Sequence, residues 1–249
     1  MTNNVVSTST RGTRVMGLLV LAGLAWCLVF ALLLSPADEI QGDSVRLLYL
    51  HVPAAYLAYL AYGVTALGSI AYLFKRTRSL AWDRLAGASA EVGVLFTALC
   101  LLTGSLWGRR TWGTYWTWDA RLTTTALLLL LFLGYLAIRR LPASHDVRAK
   151  RSAVAGLIAF VDVPIVHQAV SWWRTLHQPA TLKLDDTEMD GLMLFTLFSG
   201  LIVFTLLYVW LMMHRMRVAA MEDLADDRGL ENAVAERILE GRSSAAVPS

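Results

Sequence analysis

The residues best equipped for chemistry are concentrated in Trp107–Arg121, read WGRRTWGTYWTWDAR, with four tryptophans, a tyrosine, three arginines and one aspartate. Indole faces suit flat apolar partners, and arginines pair with carboxylates through parallel charge-assisted hydrogen bonds. Left in water, each large side chain would forgo roughly 1.5–3 kcal/mol of burial. Lipid or a flat ligand is therefore expected to cover these rings. Two histidines frame the stretch: His51 just before an apolar run and His177 just after another. Imidazole nitrogens are common metal ligands. No catalytic residue is assigned.

The elements that must position these groups are membrane spans. The chain of 249 residues is 56% hydrophobic and only 16% charged, with mean hydropathy +0.52. That composition excludes an ordinary soluble domain and indicates a polytopic membrane protein. Apolar runs recur at Val15–Leu34, Val52–Phe74, Ala88–Leu106, Leu122–Ile138, Ser152–Ser171 and Gly191–Met213. Each approaches the roughly 20 residues a helix needs to cross a bilayer. The expected fold is all-α, with six transmembrane helices. The first run is too long for the apolar core of a cleavable signal, and no A-x-A site follows it. We read residues 1–14 as a cytoplasmic segment, 15–213 as the six-helix domain and 214–249 as a cytoplasmic tail.

Charge sets the orientation. Basic residues precede the first run (Arg11, Arg14) and follow the second (Lys75, Arg76, Arg78, Arg84) and fourth (Arg139, Arg140, Arg148, Lys150, Arg151). They also follow the sixth (Arg215, Arg217, Arg228, Arg237, Arg242), so 16 of the 22 Lys+Arg lie on one side. The positive-inside rule then puts both termini in the cytoplasm. It turns the loops 35–51, 107–121 and 172–190 outward. This distribution, rather than a basic patch, accounts for the net charge of +3 and argues against nucleic acid. Cys27 and Cys100 fall within spans and read as small buried hydrophobes. With no C-x-x-C-H, covalent haem attachment by that route is excluded.

Local chemistry adds detail. Pro53 suits the first turn of a helix, which would leave His51 at the outer mouth of the second span. Glu91 and His145 read as solvated. Pro164 frees the carbonyl of Phe160 and would bend the fifth span. Residues 1–10 are rich in Ser, Thr and Asn and read as disordered. The loop Pro179–Asp190 is acidic. Leu230, Val234 and Ile238 fall at i, i+4 and i+8, the pattern of a short amphipathic helix.

Six of the nine tryptophans (107, 112, 116, 118, 172 and 173) lie on the outward side, in two segments. An interfacial belt would spread rings over both faces and all helices. The same face carries both histidines. Each alone would read as solvated or capping, but together beside an aromatic shelf they read as a ligand pair. Haem iron takes imidazole as an axial ligand, and a porphyrin is broad, flat and apolar with two carboxylates at one edge. The indole faces of Trp107, Trp112, Trp116, Trp118, Trp172 and Trp173 suit its plane. Arg109, Arg110 and Arg121 would meet the propionates. Asp119 is expected to engage Arg121 or orient an indole N–H. His167 competes as a ligand, but on a continuous helix it would lie about 15 Å from His177. It reads instead as a hydrogen-bonded residue within the bundle. Asp162, nearer mid-membrane, reads as protonated or paired.

Trp112-Gly113-Thr114-Tyr115-Trp116-Thr117-Trp118-Asp119 matches the tryptophan-rich WWD signature of a haem-handling family. Leu50-His51-Val52-Pro53 and Trp172-Trp173-Arg174-Thr175-Leu176-His177-Gln178 match its flanking histidine segments. The chain thus resembles the haem exporter protein C (CcmC) family of System I cytochrome c maturation, over about residues 15–213. Position 115 is Tyr where Trp is common, and the tail is longer and more acidic than the family pattern. The resemblance implies haem b held by His51 and His177 at the outer face, on a platform that includes Trp112, Gly113, Tyr115, Trp116, Trp118 and Asp119, and presented to the haem chaperone CcmE. It implies further partners: the ABC-transporter subunits CcmA and CcmB and the small single-span CcmD, in membrane lipid. ATP hydrolysis would reside in those partners, since this chain has no G-x-x-x-x-G-K-[ST]. Three other readings stay open: a b-type haem subunit of a membrane oxidoreductase, a System II-type synthase relative, and a scaffold without ligand.

Overall fold

The computed structural model describes residues 9–177 and 189–245. The first eight residues and most of the acidic loop fall outside the described residues. The described residues form helices and short turns, with six helical stretches long and apolar enough to cross a bilayer. In lipid each backbone polar group must be satisfied within its own segment, which is why the apolar runs become helices.

The first span is α1 (Arg11–Val29), opened by a capping box between Thr10 and Thr13. It ends in a π turn, where Ser35 N donates to Phe30 O at 2.8 Å. Arg46 then donates to the carbonyl of Ala31 at 2.6 Å, satisfying a helix-end acceptor. A 3-10 turn at Asp43–Leu47 runs straight into α2 (Leu48–Leu73). The second span therefore starts earlier than its apolar run, and Pro53 lies inside the helix rather than in its first turn. His51 is carried on α2 itself. The third span, α3 (Leu80–Thr111), is also longer than expected. It absorbs Trp107–Thr111, so only Trp112–Asp119 connects it to α4 (Ala120–Arg139).

The fifth span is split into α5 (His145–Phe160) and α6 (Asp162–Trp172), joined at Val161. Pro164 lacks the N–H that would bond Phe160, as the sequence predicts. Val161 N turns back instead to Ile158 O at 3.2 Å. The sixth span, α7 (Gly191–Ala245), continues unbroken past Met213. The separate amphipathic helix expected at Leu230–Ile238 is thus part of α7, and its apolar stripe is exposed.

α2 packs most extensively against α3. Alanines 54, 58, 61, 88 and 90 are buried in the core they share. Small side chains let helix backbones approach where hydrophobicity gives no drive between spans. Polar bonds then lock the register. Tyr62 stacks on Phe132 at 3.7 Å and shares a 2.8 Å hydrogen bond with Thr97. Ser89 donates to Ala61 O at 2.7 Å.

At the end of the bundle opposite the tryptophans, ion pairs join distant segments. Asp83, only 3% exposed, receives Arg139 at both carboxylate oxygens and Arg148 at 3.4 Å. Asp223 on α7 takes Arg84 and Arg148. Glu91 pairs with Arg215 through two hydrogen bonds, and His145 meets Asp227 at 3.0 Å. Glu91 and His145 are therefore partnered, not merely solvated, because α7 returns past them. Removing one member of a buried pair strands the other charge. Asp83→Ala, which strands two arginines, should lower stability by about 3–5 kcal/mol. Arg84→Ala, at the more exposed pair, should cost about 1 kcal/mol or less; thermal unfolding of the two variants in detergent checks the difference.

Candidate functional site

His51 sits on α2 where α3 comes close. A Cβ on Gly104 would lie 2.8 Å from His51 Cε1, so that position admits the imidazole only because it has no side chain. Thr103, one residue away and buried, holds His51 Nδ1 at 3.1 Å. The Trp107 ring meets the His51 ring edge-on at 5.7 Å. Trp107 is itself fixed by its Nε1 donating to Gln41 Oε1 at 2.8 Å.

His177 lies beyond α6 in a non-helical segment. Asp119 brings it in. Asp119 caps α4, its Oδ1 accepting from Leu122 N at 2.7 Å. Its Oδ2 accepts from Leu176 N at 3.2 Å and meets His177 Nδ1 at 3.3 Å. The expected bond to Arg121 or an indole is not what Asp119 makes; the free N–H groups at the start of α4 compete better. Trp112 stacks edgewise on His177 at 4.9 Å.

Both histidines line one partly open cavity, together with Tyr59, Cys100, Arg121 and Thr125. Leu101, Leu122, Leu128 and Val166 supply apolar wall. Apolar wall interrupted by a few polar groups is the lining of an organic-ligand site. Arg121 is the predicted propionate arginine that the fold brings into the cavity.

Among the described residues, none of the predicted platform aromatics lines the cavity itself. Trp107 and Trp112 stand behind the histidines. Trp116 and Trp118 contact each other edge-on at 5.5 Å, as do Trp172 and Trp173 at 5.7 Å. Trp118 is 82% exposed, and Tyr115, Trp172 and Trp173 are exposed too. Trp116 Nε1 and Thr117 Oγ1 are buried with no hydrogen-bond partner among the described residues. Gly113 has φ +77°, a turn that a side chain would strain. Arg109 donates to the Gly113 carbonyl and lies over Tyr115 at 5.6 Å. Arg110 is exposed on the last turn of α3.

Two predicted polar residues lie apart from the cavity wall. His167 is exposed, its ring edge-on to Tyr59 at 6.2 Å, rather than hydrogen-bonded inside the bundle. Asp162 is 5% exposed, and its Oδ2 lacks a partner among the described residues. Conversely, Tyr59, Thr103, Gly104 and Thr125 were not singled out from sequence. They sit within long apolar helices, where a lone Thr, Tyr or Gly carries no pattern.

Comparison with known proteins supplies the family. The profile of the Heme exporter protein C family, CcmC, matches residues 2–229. The Heme exporter protein C of Bradyrhizobium diazoefficiens is 43% identical over 185 residues, covering 74% of this chain and 70% of that protein. That of Haemophilus influenzae is 37% identical over 202 residues, 81% and 80% of the two chains. That of Escherichia coli is 37% identical over 196 residues, 78% and 76%.

His177 also carries a pH dependence. Burial, and then the Arg121 cation, hold its imidazole below the ordinary pKa, while Asp119 acts in the opposite direction. The folded chain therefore takes up this proton less readily than the unfolded chain. Stability from His177 is full above about pH 6.5, the unfolded value, and is lost as pH falls through the lower folded value. Between pH 7 and 5 the thermal midpoint of the wild type should fall more steeply than that of His177→Gln. Parallel slopes in tryptophan-fluorescence melts would contradict this.

Proposed function

The chain belongs to the Heme exporter protein C family, and from that premise we propose that it grips haem b between His51 and His177 and presents it for cytochrome c maturation. It is a multi-pass membrane protein with a role in haem handling and transport. The observation that carries the finer reading is that two imidazoles, one on the second span and one in the segment after the fifth, share one cavity with an arginine. Haem fits that donor set: two axial nitrogens, apolar wall for the ring and a cation for a propionate. The exposed position of His167 beside Tyr59 favours this pair over an intramembrane pair.

The basic residues gathered at the opposite end of the spans support an outward-facing site with both termini in the cytoplasm. Residues 15–213 then form the haem-handling domain, with 1–14 and 214–249 as cytoplasmic segments. The exposed faces of Tyr115, Trp118, Trp172 and Trp173 carry the rest of the platform, open to a haem edge, to lipid or to the receiving protein. Arg109 and Arg110 are the outer propionate candidates. The receiving protein is the chaperone CcmE; CcmA and CcmB supply ATP hydrolysis, and CcmD completes the complex. The chain's own work is binding, orienting and handing over, with no bond made or broken in its substrate.

Haem-loaded wild type should show a low-spin, six-coordinate absorption spectrum. His51→Ala and His177→Ala should each lose that spectrum and lower haem occupancy about tenfold or more. Unchanged spectra in both variants would remove the ligand assignment.

A further inference from the structure

We infer that Thr103 and Asp119 are positioning residues that fix both histidines in the same tautomer, with the proton on Nδ1 and the Nε2 lone pair free for iron. This rests on the ligand pair proposed above, but it is argued from hydrogen bonds within this chain alone.

The donor count at Thr103 decides its role. Its hydroxyl lies 2.8 Å from Leu99 O and 3.2 Å from Cys100 O. Those carbonyls can only accept, so the single hydroxyl proton is directed to them. Facing His51 Nδ1 at 3.1 Å, the same oxygen accepts, and it is a nearer and stronger partner than the weakly bonding Cys100 thiol at 3.9 Å. His51 therefore carries its proton on Nδ1. Gly104 holds the ring against α3 at a distance that any side chain would block.

Asp119 does the same for His177 by different chemistry. A carboxylate accepts and does not donate. Its Oδ2 already receives Leu176 N and faces His177 Nδ1. The His177 proton is thus on Nδ1 as well. Second partners of this kind orient metal-binding histidines and tune their basicity. The two supports come from unrelated places, a helix hydroxyl on α3 and the N-cap of α4, yet they impose one outcome. Sequence alone did not assign either role.

The direct test reads the tautomers in the full chain in detergent, without haem, at pH 8. Nitrogen-15 histidine NMR distinguishes Nδ1–H from Nε2–H, and the two alanine variants identify the signals. Wild type should show Nδ1–H at both sites. Asp119→Asn retains a good N-cap but offers an amide that donates, so His177 should switch to Nε2–H while His51 is unchanged. Thr103→Val removes the acceptor at near-constant shape, so His51 should lose its single tautomer while His177 keeps its own. After haem loading, Asp119→Asn should turn part of the low-spin signal high-spin and weaken haem binding about 10–100-fold. Free imidazole should restore the low-spin form.

Nε2–H at either histidine of the wild type would overturn the inference, as would variants that leave both tautomers unmoved. If Asp119→Asn fails to fold, the wild-type spectrum decides alone. Nδ1–H at both sites together with haem spectra indifferent to His51 and His177 would uphold the positioning and refute the ligand pair.

Discussion

One carboxylate joins parts of the chain that the sequence keeps far apart. Asp119 starts α4 with one oxygen and gathers Leu176 and His177 with the other. The cap is worth about 1 kcal/mol on its own, and hydrogen bonds to a charged acceptor about 1.5–3 kcal/mol each. The positional consequence is larger than those figures. The start of α4 carries Arg121 and Thr125 into the cavity wall, while the segment after α6 has no helix to hold it. The shared acceptor extends to the segment after α6 the packing that α4 and α6 already make with each other.

The opposite wall is held differently. α2 and α3 meet through alanines and through bonds buried between them, so their register is fixed along most of their length. His51 on α2 and Thr103 and Gly104 on α3 inherit that register. The ion pairs at the far end tie α3 and α5 to the long α7, and α4 to α3. They leave the tryptophan end to be shaped by hydrogen bonds and rings. Buried ion pairs add little net stability over apolar packing, but they penalise misregistered alternatives.

The six spans were legible because a bilayer imposes length and apolarity on any helix that crosses it. Pro164 was legible because a missing N–H acts locally. Helix ends were less so. α2 gained a 3-10 lead-in from Asp43, and α3 absorbed Trp107–Thr111, since neither event leaves an apolar signal. Glu91 and His145 looked solvated because their partners, Arg215 and Asp227, arrive from α7 far along the chain. His51 and His177 stood out through their residue type beside a rare aromatic density. Thr103 did not, since a threonine in a span is ordinary until its neighbour across the helix interface is known. Asp119 was noticed for its charge, but the role chosen for it was set by unpaired backbone N–H groups, which a side-chain inventory does not count.

A carrier must hold its cargo and also give it up, and the unequal mounting of the two histidines bears on that need. His51 belongs to a helix packed along its length, with its ring pinned between Thr103 and Gly104. His177 belongs to a segment outside the helices that a single carboxylate oxygen tethers at the site, with Trp112 against its ring. Moving His51 would require repacking α2 against α3. Moving His177 requires breaking the bonds at Asp119 Oδ2 while Oδ1 still caps α4. In the proposed site the release coordinate therefore runs through His177. The exposed rings of Trp118, Trp172 and Trp173 lie on the chain segments beside that bond.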